Sequence, residues 1–297
     1  MQPKLITVGH IIYDIRCYID EFPQPDRTVF MRAPIRVSGG GSAANVAVNA
    51  SKLGMASGVI GSVGNDRHGR YLIDQLWKFK VDTSQVRAVR GKSGMAIVLI
   101  DKRAEVEVIE DVGVCDRFRA IDENYISGAK HMHLAGTVYP ILDKASRLAK
   151  DAGLSLSFDP GRYASRLGSK KLSPILKRCD YLIINRKELA GLTGSMEVSA
   201  ARRLSKEFDL TCIIKQGKSE ILVEGLESFA VPSFEVKPVD TIGAGDAFGG
   251  GLLTALLEKK SMFEAVRFAN AVAAAKVLHL GAQSLPGRRW IEKRFKV

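Results

Sequence analysis

The most informative stretch of the chain is VDTIGAGDAFGGG, residues 239–251, near the C-terminal end. Behind its first glycines, large apolar residues recur at helical spacing, at Phe248, Leu252, Leu253 and Leu256. This period predicts a helix that begins near Ala244, with a glycine-rich turn directly before it. Such a turn leading into a helix is typical of sites that bind phosphate groups.

Gly243 and Gly245 allow the backbone of this turn to approach a ligand closely. The first amides of the helix, at the positive end of its dipole, suit an anion such as phosphate. Asp246 lies in the first turn, where the dipole also favours a carboxylate. A capping role for Asp246 is the alternative interpretation, but it leaves the glycines at 249–251 unexplained. Each glycine destabilises a helix by about 0.5–1 kcal/mol relative to alanine, so we expect close approach of another helix or a ligand there.

Upstream of this stretch, short apolar segments alternate with helical patterns from residue 130 onward. Strands are expected at residues 130–134, 154–158, 181–184 and 210–214, and helices near residues 141–151 and 170–178. This alternation predicts a parallel sheet with helices on both faces. Ligands bind beyond the carboxyl ends of the strands in such sheets, so we expect functional residues in the loops that follow the strands.

Two segments nearer the N-terminus do not follow this alternation of strands and helices. Residues 11–37 and 95–110 are rich in β-formers in alternation, and no long helical pattern separates their strands. We expect them to pair as a small separate sheet. A small sheet attached to an α/β core often serves as a lid over the ligand site.

Composition and charge narrow the class of protein. Of 297 residues, 46% are hydrophobic and 26% are charged, which is typical of a globular protein with a sizeable core. Neither a secretion signal nor an apolar run of membrane-helix length is visible, so no membrane partner is expected. The formal charge is +12, but the cations are scattered and form no aromatic-lined stripe, so no nucleic-acid partner is expected. Four widely spaced cysteines suit a reducing cytoplasm.

Residues 240–248, DTIGAGDAF, resemble the D-T-x-G-A-G-D-x-F signature of the ribokinase-like (PfkB) carbohydrate kinases. The resemblance implies a single domain over residues 1–297, with a three-layer α/β/α fold, a central, mostly parallel sheet and a small β-sheet lid. It also implies that the Gly243–Gly245 backbone is the anion hole for the transferring phosphoryl group. Asp246 would then take the proton of the acceptor hydroxyl, as phosphoryl transfer requires.

A second match lies in the N-terminal half, where residues 38–47, SGGGSAANVA, resemble the family's G-G-x-x-A-N-x-A segment. By that resemblance Gly40, Gly41 and Asn45 contact substrate hydroxyls. Asp14 falls where the family places an aspartate that binds two sugar hydroxyls, a task that suits a carboxylate because it is rich in acceptor lone pairs. The same segment formally fits the G-x-G-x-x-A pattern of dinucleotide-binding folds, which leaves an NAD-dependent dehydrogenase as a remote alternative.

Further matches concern cations. Asn185 and Glu188 resemble the family's N-x-x-E, which organises Mg²⁺ at the nucleotide, largely through water. A helix start with Glu188 in the first turn is the alternative interpretation. By the same resemblance, Asp240, Ile242 and Ser284 line a monovalent-cation site that would take K⁺.

The nucleotide side also departs from the family. Many relatives carry a Thr-x-Gly-x-x-Gly loop there, whereas this chain has KQGKSE at residues 215–220, which keeps Gly217 and has Lys215 in place of the threonine. Lys215 either supplies a cation to the donor phosphates or lies on the loop surface. Asn270 corresponds to a residue near the adenine. ATP is the expected donor, with ADP or another nucleotide as the alternative.

The acceptor follows less directly from the residues. Arg162 ends the segment DPGR, residues 159–162, after an expected strand. One interpretation is that Arg162 binds a substrate phosphate through bidentate hydrogen bonds. The alternatives are that it neutralises charge on the phosphate donor or forms a structural ion pair. The N-terminal segment resembles archaeal family members that phosphorylate nucleosides. We therefore expect a kinase for a ribose-bearing nucleoside or sugar, with a sugar-phosphate kinase for ribose 1-phosphate or a fructose phosphate, ADP-dependent in one version, as the alternative. Pairing of relatives through the lid implies a homodimer.

Overall fold

Strands and helices alternate along the chain in the computed structural model, which describes residues 2–103, 105–117 and 121–297. The strands are β1 (Leu5–Gly9), β2 (Ile12–Tyr18), β3 (Arg36–Gly40), β4 (Ser57–Gly64), β5 (Val86–Val89), β6 (Gly94–Ile100), β7 (Val106–Asp111), β8 (His131–Ala135), β9 (Ser155–Asp159), β10 (Tyr181–Asn185), β11 (Thr211–Lys215), β12 (Ile221–Glu224) and β13 (Phe229–Val231). The helices are α1 (Ser42–Lys52), α2 (Arg67–Lys78), α3 (Glu123–Ser127), α4 (Tyr139–Asp151), α5 (Gly161–Ala164), α6 (Gly168–Leu176), α7 (Arg186–Thr193), α8 (Val198–Phe208), α9 (Ala244–Leu257), α10 (Met262–Val277) and α11 (Arg288–Phe295). None of these described helices is both long enough and apolar enough to cross a membrane.

The larger sheet has nine strands in the order β13-β12-β11-β10-β9-β8-β1-β4-β5. Its pairs are parallel from β11 to β5, and β12 and β13 add antiparallel pairs at one edge. The expected mostly parallel sheet is therefore confirmed. The four expected strands correspond to β8, β9, β10 and β11, while α4 and α6 begin earlier than expected. In α4 the reason is Pro140, which fits the first turn of a helix because its missing amide hydrogen is not needed there.

Helices cover both faces of the larger sheet, which gives the expected three layers. Strands covered on both sides are apolar in both directions. In β10, the buried side chains of Leu182 and Ile184 join the core formed with α4, α6, α7 and α8. The intervening Ile183 joins the opposite core, formed with α9, α10 and α11. Helix α1 lies on this second side, where Val46 packs with Leu253 of α9.

Two glycines allow α9 to pack very closely on its neighbours. A Cβ atom on Gly250 would lie 3.0 Å from Cβ of Asn49 in α1, and one on Gly251 would lie 3.0 Å from Cβ of Val272 in α10. The close approach expected at residues 249–251 is therefore made by two helices. Because α9 is held from both sides, the position of its N-terminal turn is fixed as well.

The smaller sheet has the strand order β3-β2-β6-β7 and comes from the two segments expected to form the lid. Its strands cover less of the first segment than predicted: within residues 20–35 the structure has an isolated bridge from Met31 to Ile19 and no strand. Pro23, Pro25 and Pro34 explain the difference, because proline lacks the amide hydrogen that a strand donates. In the second segment, Ala104 lies outside the described residues.

The smaller sheet turns one face towards the larger one, and it is called the lid below (β2, β3, β6 and β7). Along β2, Ile12, Asp14 and Arg16 are buried, and the residues between them are partly exposed. Ile242, in the turn before α9, packs against the apolar cluster on the inner face of the lid. The lid therefore brings the side chains of β2 towards the start of α9.

Candidate active site

The segment that leads into α9, residues 240–245, has the form expected of an anion site and is called the anion turn below. Gly243 caps the helix with a left-handed φ of 73°, which strains residues that carry a side chain. A Cβ atom at Gly243 would also lie 2.7 Å from Cα of Ala282. Asp240 stabilises the turn, because its Oδ1 accepts from the amide of Ile242 at 2.9 Å and its Oδ2 accepts from the amide of Gly281 at 2.7 Å. The turn is thus built against the loop that follows α10.

Asp246 lies in the first turn of α9, and Gly243 is the capping residue of this helix. Oδ2 of Asp246 accepts a hydrogen bond from Nδ2 of Asn45 at 2.8 Å. Burial raises the pKa of Asp246 to about 6, although the bonds from Asn45 and Ser42 oppose the shift. Such a carboxylate is ionised at neutral pH and is still basic enough to accept a proton.

Asn45 joins the first turn of α9 to the loop after α10. Its Nδ2 donates to Asp246, and its Oδ1 accepts from Nε2 of Gln283 at 3.0 Å. Both ends of the amide are therefore bonded to protein, and Asn45 orients the carboxylate of Asp246. Its expected contact with substrate hydroxyls stays a prediction. Gln283 was not among the residues predicted for the site.

Asp14 is buried on the inner face of the lid. Burial raises its pKa to about 7, the charge of Arg16 opposes that shift, and the charge of Asp246 adds to it. The backbone of Gly40 packs directly on this carboxylate, so a methyl group at Gly40 would collide with it. Gly41 follows with φ 88° as the capping residue of α1. The structure thus brings three of the predicted acceptor residues, Asp14, Gly40 and Gly41, together at the start of α1.

A second charged group beside the acceptor residues was not predicted. Nε2 of His10 lies 2.7 Å from Oδ1 of Asp116, which also accepts from Oγ1 of Thr137 at 3.0 Å. Burial lowers the pKa of His10, but Asp116 and Glu110 outweigh it and raise the value to about 9. The signal for this group was available, because His10 directly follows β1 at the ligand edge of the sheet.

Lys215 is the last residue of β11 and does not lie on a loop surface, so that interpretation was wrong. Its Nζ is 2.8 Å from Oδ2 of Asp159, and both side chains are largely buried. Although burial lowers the pKa of Lys215, the carboxylates of Asp159 and Glu188 raise it, so the side chain is an ammonium ion. A Cβ atom on Gly245 would lie 3.4 Å from this Nζ. The ammonium group therefore borders the anion turn.

Asn185 and Glu188 form a capping box at the start of α7. Oδ1 of Asn185 accepts from the amide of Glu188 at 3.0 Å, and Oε2 of Glu188 accepts from the amide of Asn185 at 2.8 Å. Burial and the nearby charge of Asp159 raise the pKa of Glu188. In the part of the chain that the structure describes, no cluster of three or more His, Cys, Asp or Glu residues is arranged to hold a metal directly. These carboxylates fit Mg²⁺ bound through water and phosphate oxygens.

Of the residues predicted to hold K⁺, Asp240 and Ser284 already use their oxygens in hydrogen bonds within the protein. The carbonyl oxygen of Asp240 accepts a hydrogen bond from Nζ of Lys276 at 2.8 Å. Both carboxylate oxygens of Asp240 accept from backbone amides, as described above. Oγ of Ser284 donates to the carbonyl of Gly281 at 2.6 Å. The prediction of a K⁺ site therefore conflicts with the bonding of these groups.

The remaining predicted residues lie around the same edge of the sheet. Arg162 is exposed on α5, directly after β9. Gly217 has φ 65° in the turn after β11. Asn270 is buried in α10, where its Nδ2 donates to the carbonyl of Pro232 at 2.8 Å. Their roles towards substrate and nucleotide stay predictions.

The arrangement combines three chemical functions in one place. The first turn of α9 offers amides and a positive dipole end to an anion. The ammonium group of Lys215 adds a formal positive charge beside that turn. The carboxylate of Asp246 provides a base at the same turn. Together they suit the transfer of a phosphoryl group to a hydroxyl.

Comparison with known proteins agrees with this chemistry. The model of the pfkB family carbohydrate kinases matches residues 2–288. The chain is 34% identical over 288 residues to the ATP-dependent ribose-1-phosphate kinase of Halopiger xanaduensis, which covers 95% of each protein. It is 27% identical to the nucleoside kinase of Methanothermobacter thermautotrophicus, over 98% of this chain and 95% of that one. Arabidopsis thaliana ribokinase complexed with ribose and ATP superposes with a TM-score of 0.88 at 25% identity, over 100% of both chains. The chain therefore belongs to the pfkB family of carbohydrate kinases, enzymes that transfer a phosphoryl group to an alcohol.

Proposed function

We propose that this enzyme transfers the terminal phosphoryl group of ATP to a hydroxyl of ribose 1-phosphate. The observation that carries the reaction is the carboxylate of Asp246 at the N-terminal turn of α9, bonded to Asn45 at 2.8 Å. The choice of acceptor is supported by the 34% identity to the Halopiger xanaduensis kinase, which extends over nearly all of both chains. The nucleoside kinase relative, at 27% identity, makes a nucleoside the second candidate.

In the proposed reaction, Asp246 removes the proton of the acceptor hydroxyl. The hydroxyl oxygen forms a bond to the γ-phosphorus of ATP, while the bond between that phosphorus and the β,γ-bridging oxygen breaks and ADP leaves. The first-turn amides of α9, from Gly243 to Gly245, are proposed to bind the migrating group. Charge stabilisation of this kind is the main catalytic contribution available to a kinase.

On the donor side, Lys215 is proposed to neutralise charge on the ATP phosphates, because its ammonium group borders the anion turn. Asn185 and Glu188 are proposed to hold Mg²⁺ through water, and Gly217 and Asn270 to border the nucleotide. Mg²⁺ held there would neutralise part of the charge of the ATP phosphates.

On the acceptor side, Asp14 is proposed to accept hydrogen bonds from two ribose hydroxyls, with the backbones of Gly40 and Gly41 beside them. Their close packing supports this role, since Gly40 leaves no room for a side chain at the carboxylate. Arg162 is proposed to bind the 1-phosphate. Its exposure directly after β9, at the ligand edge of the sheet, supports this assignment.

A substrate panel tests the proposal. Ribose 1-phosphate, ribose, several nucleosides and fructose phosphates are each offered with ATP and with ADP, and coupled product formation gives kcat/KM. We expect ribose 1-phosphate with ATP to have the highest value. Arg162→Ala should raise KM for ribose 1-phosphate and leave KM for ribose unchanged. A higher kcat/KM for nucleosides would show that a nucleoside, and not ribose 1-phosphate, is the acceptor. Transfer to none of these compounds would refute the proposed function.

The outer face of the lid supports a homodimer, the assembly implied by the family resemblance. Strand pairing aligns Val37, Ile15, Ile97 and Ile109 in one row across all four strands. Val37 and Ile109, at the two ends of this row, are 45% and 64% exposed, which is high for aliphatic side chains. We propose that a second copy covers this row. Light scattering should give a dimer for the native enzyme and a monomer for Ile109→Glu; a monomeric native enzyme would contradict the proposal.

We also propose that the enzyme works in the cytoplasm. All four cysteines, Cys17, Cys115, Cys179 and Cys212, are free thiols. Free thiols suit a reducing compartment. Recovery of the enzyme from an extracellular or membrane fraction of its native cells would contradict this location.

A further inference from the structure

Lys276 is a lysine with no contact to solvent and is the last residue but one of α10. Its Nζ donates to the carbonyl oxygen of Asp240 at 2.8 Å and lies 3.8 Å from Oδ1 of the same residue. A buried ammonium group is unfavourable unless it is paired and hydrogen bonded. Here its partner is the residue that shapes the turn before α9.

The oxygens around Asp240 are those that a monovalent cation would need. Two backbone amides, those of Ile242 and Gly281, already donate to its carboxylate. The hydroxyl of Ser284 is used by the Gly281 carbonyl. The ammonium group of Lys276 is the hydrogen-bond donor to a further oxygen of this site, the carbonyl of Asp240.

The local charge is also already balanced. Besides Lys276, the guanidinium of Arg16 lies 4.0 Å from Oδ2 of Asp240, and both partners are buried. Two buried cations thus lie beside the carboxylate of Asp240, with the charge of Asp246 further off, so an additional monovalent cation at Asp240 would be repelled by both cations. Burial lowers the pKa of Lys276 to about 8, with the charge of Asp240 opposing the shift, so the group remains mainly protonated at neutral pH.

We propose that Lys276 is a built-in cation that takes the place of the monovalent ion and makes this kinase independent of K⁺. It is a positioning residue, because it acts through Asp240 on the anion turn. The backbone supports this link: the amide of Val239 donates to the carbonyl of Val277 at 2.7 Å, which ties the turn to the end of α10. The inference rests on the proposed kinase reaction for its activity readout but not for its binding readout.

The first experiment compares kcat in KCl, NaCl and choline chloride at equal ionic strength. The native enzyme should differ by less than about 2-fold among the three salts, since no cation site remains to be filled. Lys276→Ala should lose about 10-fold or more of kcat and regain much of it with K⁺ or ammonium in a saturable way. Lys276→Met should lose activity without rescue, because its side chain fills the space that an ion would enter.

The second experiment measures thermal unfolding, which needs no substrate. The midpoint of Lys276→Ala should rise with KCl and not with choline chloride, because an ion that binds the native state stabilises it. The native enzyme should show no such difference. If the native enzyme phosphorylates none of the offered acceptors, these unfolding data still decide the inference about Lys276.

Lys52→Ala is the matched control. Nζ of Lys52 donates to the carbonyls of Gln283 and Leu285, at 2.7 and 3.0 Å, and so anchors the same loop from the side of α1. This variant should lose stability without acquiring a K⁺ response. Saturable activation of the native enzyme by K⁺ would overturn the inference. So would a folded Lys276→Ala variant that responds to K⁺ no more than Lys52→Ala does.

Discussion

The two sides of the candidate active site present different titratable groups. On the acceptor side, the inner face of the lid presents the carboxylate of Asp14, whose pKa burial raises to about 7. On the donor side, the end of β11 presents the ammonium group of Lys215, whose charge Asp159 and Glu188 preserve despite burial. Asp246 lies between them and contributes to the shift at each.

We propose that this difference lets the site distinguish the two substrates. A carboxylate accepts hydrogen bonds from the hydroxyls of a sugar and repels the phosphates of a nucleotide. An ammonium group attracts those phosphates and has no acceptor for a hydroxyl proton. We therefore expect a substitution on one side to weaken the binding of one substrate only. A substitution at Asp246, which lies between the two sides, should reduce turnover instead.

The largest effect on kcat is expected at Asp246, between the two sides of the site. Asp246→Asn keeps the size of the side chain but removes the base, so kcat should fall about 10²–10⁴-fold while both KM values change little. Steady-state kinetics with ATP and the preferred acceptor measures this, and circular dichroism confirms that the variant is folded. Turnover within a factor of about three of the native value would exclude Asp246 as the base.

Asp14→Ala and Lys215→Met test the charge difference as a pair. Hydrogen bonds to charged groups contribute about 1.5–3 kcal/mol, so each variant should raise one KM by about 10–100-fold. Asp14→Ala should act on the acceptor KM and Lys215→Met on the ATP KM, both read from initial rates at saturating co-substrate. If both variants weakened both substrates equally, the two sides would not be separate sites.

The pH dependence separates the two carboxylates. Only the ionised form of Asp246 accepts a proton, and burial raises its pKa to about 6, so kcat should fall as the pH drops through about 6. The bond from Asn45 favours the ionised form; Asn45→Ala removes it, which should raise that pKa and move the acid limb of kcat to higher pH. Profiles of kcat from pH 5 upward test the direction, with Asp14→Ala as control. A limb that stays in place or moves down would show that Asn45 does not tune the base.

The smallest effect on kcat is expected at Gln283, which contacts Asp246 only through Asn45. Gln283→Ala leaves Oδ1 of Asn45 without its partner at 3.0 Å, which allows the amide to turn away from Asp246. A net hydrogen bond contributes about 0.5–1.5 kcal/mol, so kcat should fall only about 2–10-fold with little change in either KM. A change in KM alone would place Gln283 in a binding site instead.

The sequence predicted those parts of the molecule that depend on local pattern. The strands β8 to β11 and the start of α9 follow from apolar periodicity and glycine placement, and these predictions are confirmed. The first lid segment was predicted too long, because its alternation was given more weight than its prolines. For Lys215 the sequence left two interpretations open, a cation for the donor phosphates and a residue on a loop surface. The sequence did not show that the end of β11 lies beside the start of α9.

The long-range contacts of the site were not predictable in this way. Lys276 stands in an alanine-rich helix, where a single lysine normally points to solvent, and its partner Asp240 lies 36 residues away. The pairing of His10 with Asp116 spans 106 residues. Such contacts depend on the packing of whole elements. A buried charge in an apolar helix is nevertheless a signal that can be searched for.

The bond between Asn45 and Asp246 has a consequence for biosynthesis. It joins residues 201 positions apart, and the bond from Gln283 to Asn45 spans 238. The N-terminal strands and α1 leave the ribosome long before α9 and the loop after α10 exist. The base therefore becomes oriented only after α9 and the loop after α10 have been made. We expect nascent and truncated chains that lack this loop to be unable to consume ATP, because Gln283 completes the bonding that orients Asp246.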